Sequence, residues 1–143
     1  MNAEDARLLI TGEVARAVLD HALATAPEEC CGVLLGPRIG EATLAMQARN
    51  VHEQPRTRYQ VDPEALLHAV EKAEAEGLEV VGFYHSHPRG WARFSEEDRA
   101  RGSWEGVDYL LLSLAPLTYV AGRWDGEAFQ ELEVHLPDGF EPS

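Results

Sequence analysis

Apolar residues change their spacing several times along the chain, and each change marks an element boundary. Val14, Ala17, Val18 and Ala22 recur at helical spacing behind Thr11, whose hydroxyl can cap a first turn, and Pro27 follows; a helix is predicted from residue 11 to about 25. The continuous block from Cys30 to Leu35 lacks that period and reads as a buried strand. Gly36-Pro37-Arg38-Ile39-Gly40 turns it into a second strand from about Glu41 to Gln47, making a hairpin, and residues 50–58 read as loop. Asp62-Pro63 starts another helix, with Asp62 as cap and Pro63 at the first helical position, and Gly77 ends it. The run Leu78-Glu79-Val80-Val81-Gly82-Phe83-Tyr84 is a strand leading into His85 and His87. Residues 88–94 read as loop, and Ser95-Glu96-Glu97-Asp98 as the first turn of a short helix with Ser95 as its cap. Strands are expected over 108–114, 117–123 and 129–134, with Pro116 and Asp125-Gly126 in the turns. Helices interleaved with strands predict an α/β class, a mixed sheet flanked by helices.

A chain of 143 residues with 45% hydrophobic content carries one sizeable core, so residues 1–143 are read as a single domain. A net charge of -13 makes nucleic acid a poor partner, because phosphate binding requires clustered cations. The longest apolar stretch, near Tyr109-Leu110-Leu111-Leu112, is far short of the roughly 20 residues of a membrane span, and no signal region opens the sequence. A cytoplasmic location is expected. Cys30 and Cys31 are strand neighbours pointing to opposite faces, so a disulfide between them would be strained; they read as buried thiols in a reducing compartment.

On a strand, His85 and His87 present both imidazoles to one side, where they can reach one metal ion. With Asp98 they form a three-ligand set of imidazole and carboxylate that suits Zn2+ and leaves a fourth position open, the arrangement of catalytic sites. His21, His52, His68 and His135 have no neighbouring ligand residue and read as ordinary core or surface histidines. Trp91 is either a substrate contact or a packed loop residue, and Glu96 and Glu97 complement a helix N-terminus.

The spacing His-x-His-x7-Ser-x2-Asp, filled by His85, His87, Ser95 and Asp98, resembles the JAMM (MPN-plus) metallopeptidase family. Glu28-Glu29-Cys30-Cys31-Gly32-Val33-Leu34 is similar to the family's glutamate-bearing N-terminal strand, and Asn50, Arg58-Tyr59, Asp62-Pro63 and Gly82 extend the similarity over about residues 10 to 125. Phe94 departs from the proline or small residue expected there, which bears on the shape of the neighbouring loop. The resemblance implies a single-domain MPN (JAMM) fold and a zinc peptidase. In it His85, His87 and Asp98 bind the metal, Glu29 shuttles the proton and Ser95 donates to the oxyanion. Ser95 can serve as helix cap at the same time. The resemblance further implies cleavage after the C-terminal Gly-Gly of a ubiquitin-like or sulfur-carrier protein, releasing cysteine or a peptide. The alternatives are a deubiquitinase-like or desampylase-like isopeptidase acting on protein conjugates, and a non-catalytic MPN scaffold. The intact ligand set speaks against the scaffold.

Overall fold

In a computed structural model that describes residues 7–89, 94 and 104–136, the chain forms one mixed eight-stranded sheet with a helix on each face. Its elements are β1 (Arg7–Ile10), α1 (Gly12–Thr25), β2 (Cys31–Gly36), β3 (Glu41–Ala42), β4 (Leu44–Ala48), α2 (Pro63–Glu76), β5 (Glu79–His87), β6 (Asp108–Leu114), β7 (Leu117–Trp124) and β8 (Phe129–His135). The strand order is β3-β1-β8-β7-β6-β5-β2-β4. The pairs β1/β3, β1/β8 and β5/β6 are parallel; the rest are antiparallel. None of the described helices is long and apolar enough to cross a membrane.

Both helices start and stop where their local chemistry dictates. Thr11 accepts a hydrogen bond from the Val14 N–H at 3.2 Å, and Asp62 accepts from Glu64 at 3.1 Å ahead of Pro63. Gly77 closes α2 in the left-handed region at φ 68°, where a side chain would be strained. The buried face of α1 is Val14, Ala15, Val18, Leu19 and Ala22, so Ala17 is only partly covered, and Ala15 and Leu19 complete the stripe instead.

Period-two alternation divides the sheet between two cores. Tyr84, Leu110, Leu112 and Leu34 pack with Leu8, Val14 and Val18 on the α1 side, while Val33, Leu35, Phe83 and Tyr109 pack with Ala69 and Ala73 on the α2 side. Phe83, His85 and His87 therefore share a direction, opposite to Tyr84 and Ser86.

One expectation is corrected. The strand from Glu41 to Gln47 is broken at Thr43: β3 leaves the hairpin to pair in parallel with β1, and only β4 pairs with β2. Gly36 permits the crossing, because the carbonyl of Glu41 passes through the space that a Cβ there would occupy. The strand β1 itself, four residues with alternate burial, was not anticipated.

Candidate active site

Antiparallel pairing of β2 with β5 builds the site. Cys31 stands opposite His85, and extending that register by two residues brings Glu29 opposite His87. Nitrogens of both imidazoles and a carboxylate oxygen of Glu29 lie within 4.8 Å of one another. His85 is buried, as is Glu29 at 4% exposure, whereas His87 is partly open to solvent. Tyr59 stacks on His85 with ring centroids 4.3 Å apart and planes 17° off parallel, which fixes the imidazole's plane. His87 meets His85 edge-on at 5.2 Å.

The backbone bearing Glu29 is held from two sides. On one side, the side-chain amide of Asn50 donates to the carbonyls of Glu29 and Arg58, both at 2.9 Å, and its oxygen accepts from the N–H groups of His52 and Gln60 at 3.1 Å. The Glu29 N–H donates to the Pro55 carbonyl at 2.7 Å. On the other side, the Cys30 N–H donates to the hydroxyl of Ser86 at 2.8 Å, and the Ser86 N–H returns a bond to the Cys30 carbonyl at 3.1 Å. Each such bond is worth about 1 kcal/mol net; together they set the position of one carboxylate.

Burial raises the Cys30 thiol to about 11 and the Cys31 thiol to about 12, Ser86 pulling the former back only in part. Both are free and buried, as expected, and neither is a thiolate nucleophile at neutral pH. The remaining histidines have other occupations. His21 Nδ1 lies 2.7 Å from the Tyr84 hydroxyl, His52 accepts from the Gln54 N–H, His135 pairs with Glu133, and His68 is exposed.

Two imidazoles and a carboxylate at this separation form a donor set suited to Zn2+, which takes nitrogen and oxygen ligands. Of the five residues singled out in the sequence, the fold brings together Glu29, His85 and His87. Ser95 and Asp98 lie outside the described residues, as do Trp91, Glu96, Glu97 and the short helix expected there. Phe94 stacks on Phe129 at 4.5 Å, so a bulky ring at this position packs against β8. Beside the triad, Glu29 and His87 line a cleft of about 400 Å³ together with Arg56, Thr57, Pro88 and Arg89. An apolar cleft of about 190 Å³ opens past Tyr59, lined by Val61, Leu66, Phe83 and Trp104.

Residues 11–130 match the family described as prokaryotic homologs of the JAB domain. The chain belongs to that family. The JAMM/MPN likeness read from the sequence is thereby borne out, and the mixed sheet with flanking helices is the JAB-domain architecture. The desampylase of Haloferax volcanii is 38% identical over 90% of this chain and 95% of its own length. A probable TtuB-protein conjugate cleaving protease of Thermus thermophilus is 41% identical over 64% of this chain and 60% of its own length. Among solved structures, a protein from Desulfitobacterium hafniense superposes with a TM-score of 0.83 at 28% identity, covering 94% of this chain and 95% of that one. A JAB1/MPN domain protein from Archaeoglobus fulgidus reaches a TM-score of 0.60 at 20% identity over 91% of this chain and 99% of that one, a likeness of fold alone.

The functional details missed in the sequence are the braces. In the sequence Asn50 and Tyr59 are family-like positions without a role, and Ser86 lies between two histidines. A polar residue alternating away from two metal-type residues in an otherwise apolar strand was the available signal, since a buried hydroxyl needs a partner.

Proposed function

We propose that this chain is a zinc-dependent isopeptidase that cleaves the amide bond after the C-terminal Gly-Gly of a ubiquitin-like protein joined to a target. The observation that carries the reading is the buried Glu29 carboxylate held beside His85 and His87 at the edge of an open cleft, in a chain nearly co-extensive with a desampylase. The names of the Haloferax and Thermus relatives favour a protein conjugate as substrate over a carrier bearing only cysteine or a short peptide.

In this reading His85, His87 and Asp98 hold the zinc. Bound there, the ion would polarise the scissile carbonyl and make water a nucleophile at neutral pH. Glu29, fixed through its own backbone by Asn50 and Ser86, accepts the proton of the attacking water and returns it to the departing lysine amine. Ser95 donates to the developing oxyanion. Gly-Gly suits the site because residues without a Cβ let an extended backbone approach closely. The free, buried thiols agree with a reducing cytoplasm.

The test is to incubate zinc-loaded protein with a ubiquitin-like protein linked through Gly-Gly to a lysine side chain, and to weigh the products. Release of the carrier with an intact Gly-Gly terminus supports the reading; no cleavage, or cleavage elsewhere, overturns it. Metal stoichiometry settles the third ligand. Asp98→Ala should lose zinc and Glu29→Gln retain it; the reverse would make Glu29 a ligand.

A further inference from the structure

We infer that Arg56 and Arg89 are specificity residues that receive a carboxylate side chain on the target segment surrounding the modified lysine. The inference rests on the isopeptidase reading. Both arginines are exposed and line the same cleft as Glu29 and His87, approaching it from two separate loops, one between β4 and α2 and the other just after β5. Their presence there is notable in a chain with 12 basic against 25 acidic residues. Four other described cations are drawn into local pairs: Arg16 with Asp20, Arg38 with Glu41, Lys72 with Glu76, Arg123 with Asp108.

The chemistry of the scissile bond says which side supplies the acid. On the carrier side the bond is preceded by Gly-Gly, which has no side chains to offer. Of the residues immediately flanking the bond, those that can offer a charged side chain are therefore on the leaving-amine side, the target residues beside the lysine. Guanidinium forks bind carboxylates with two parallel hydrogen bonds, and two forks on opposite loops can hold one extended segment across the cleft. Long-range repulsion from a protein of charge -13 does not defeat this contact, because fields are screened beyond about 8 Å at physiological ionic strength while the contact itself is short. The arginines thus select acidic sites locally, in a molecule that repels acidic proteins at a distance.

Two measurements test the inference on the full chain. The first is binding, by fluorescence anisotropy, of a labelled peptide carrying a lysine with Gly-Gly on its side-chain amine, flanked either by glutamates or by glutamines. The glutamate peptide should bind about fivefold tighter, an advantage that 0.5 M salt removes and that R56E/R89E inverts relative to a lysine-flanked peptide. Equal binding of the glutamate and glutamine peptides, or a preference unchanged in R56E/R89E, overturns the inference. The second is cleavage of carrier conjugates on the same three peptides, where the ratio of kcat/KM values should follow the binding ratios. Cleavage of all three at one rate overturns charge selection while leaving the isopeptidase reading intact. Selective binding with no cleavage of any conjugate overturns the isopeptidase reading and keeps the arginine site.

Discussion

Two carboxylates are buried on either side of β5, one just ahead of β2 and one on β6, and they are treated in opposite ways. Asp108, fully buried at the start of β6, takes two hydrogen bonds from the guanidinium of Arg123 on β7, at 2.7 and 3.2 Å. Burial pushes its pKa up, and Arg123 pulls it part of the way back. Its charge is answered within the protein, which makes it a brace between neighbouring strands. Glu29, at the other end of β5, is buried almost as deeply, yet it faces two imidazoles and a cleft, and the backbone around it is held by Asn50 and Ser86. Depth of burial does not separate a structural acid from a functional one. The nature of the group set opposite does.

The strongest way to break the comparison is Glu29→Gln. If the carboxylate is the proton shuttle, the amide leaves the shape and removes the acceptor, so conjugate cleavage should fall about 10²- to 10⁴-fold while the melting temperature holds or rises slightly. Cleavage kinetics and thermal denaturation of one preparation read both quantities. Retained activity would place proton transfer on another group.

The counterpart at the structural end is Arg123→Ala, which leaves the Asp108 carboxylate buried without its cation. The cost should be about 3 kcal/mol, seen in denaturant unfolding, with activity per folded molecule preserved. Asp108→Asn in the Arg123→Ala background should recover part of the loss, because a neutral amide tolerates burial better than an orphaned charge. Loss of specific activity without loss of stability would mean that the two ends are coupled through β5 and β6.

Much of the site's frame was legible because it depends on neighbours in sequence. Asp62-Pro63 and Gly77 delimit α2 through their own hydrogen bonds and dihedrals, and the alternation of His85 and His87 follows from strand geometry. What was not legible depends on distant partners. β3 is two residues that pair with β1 rather than with the strand preceding them, a choice made by the close passage at Gly36 and invisible in a local window. The bracing of Glu29 likewise joins distant residues, Asn50 lying 21 positions from Glu29 and Ser86 56 positions from Cys30, so no local window pairs them. In the sequence Asp108 is only the opening residue of a strand, and nothing near it shows that Arg123 meets it.

Asn50→Ala sharpens the contrast at smaller amplitude. It removes the amide that ties the carbonyls of Glu29 and Arg58 and the N–H groups of His52 and Gln60 together. Stability should drop by about 1–3 kcal/mol, and activity should fall as well, because the carboxylate loses its registration against the histidines. An equal loss of stability from Arg123→Ala should leave specific activity unaltered; that difference separates positioning from mere folding.

The smallest effect concerns a half-buried polar contact, His21 with Tyr84, one residue before His85. Burial lowers the His21 pKa below its ordinary 6.5, so the folded state binds fewer protons than the unfolded chain in the window beneath that value. Stability should therefore decline as pH falls through 6.5, and the decline should level off once the folded-state pKa is passed. Asp108 works in the opposite direction at lower pH: its raised pKa means that the folded state takes up protons first, so its own contribution favours folding as the acid range is entered. His21→Gln keeps a hydrogen-bonding group near the Tyr84 hydroxyl and removes the titration, so its denaturation midpoint, followed from pH 7.5 to 5.5, should vary less than that of the parent. An unchanged pH slope would assign the dependence to a different histidine and leave His21 as a neutral spacer on the α1 side of the sheet.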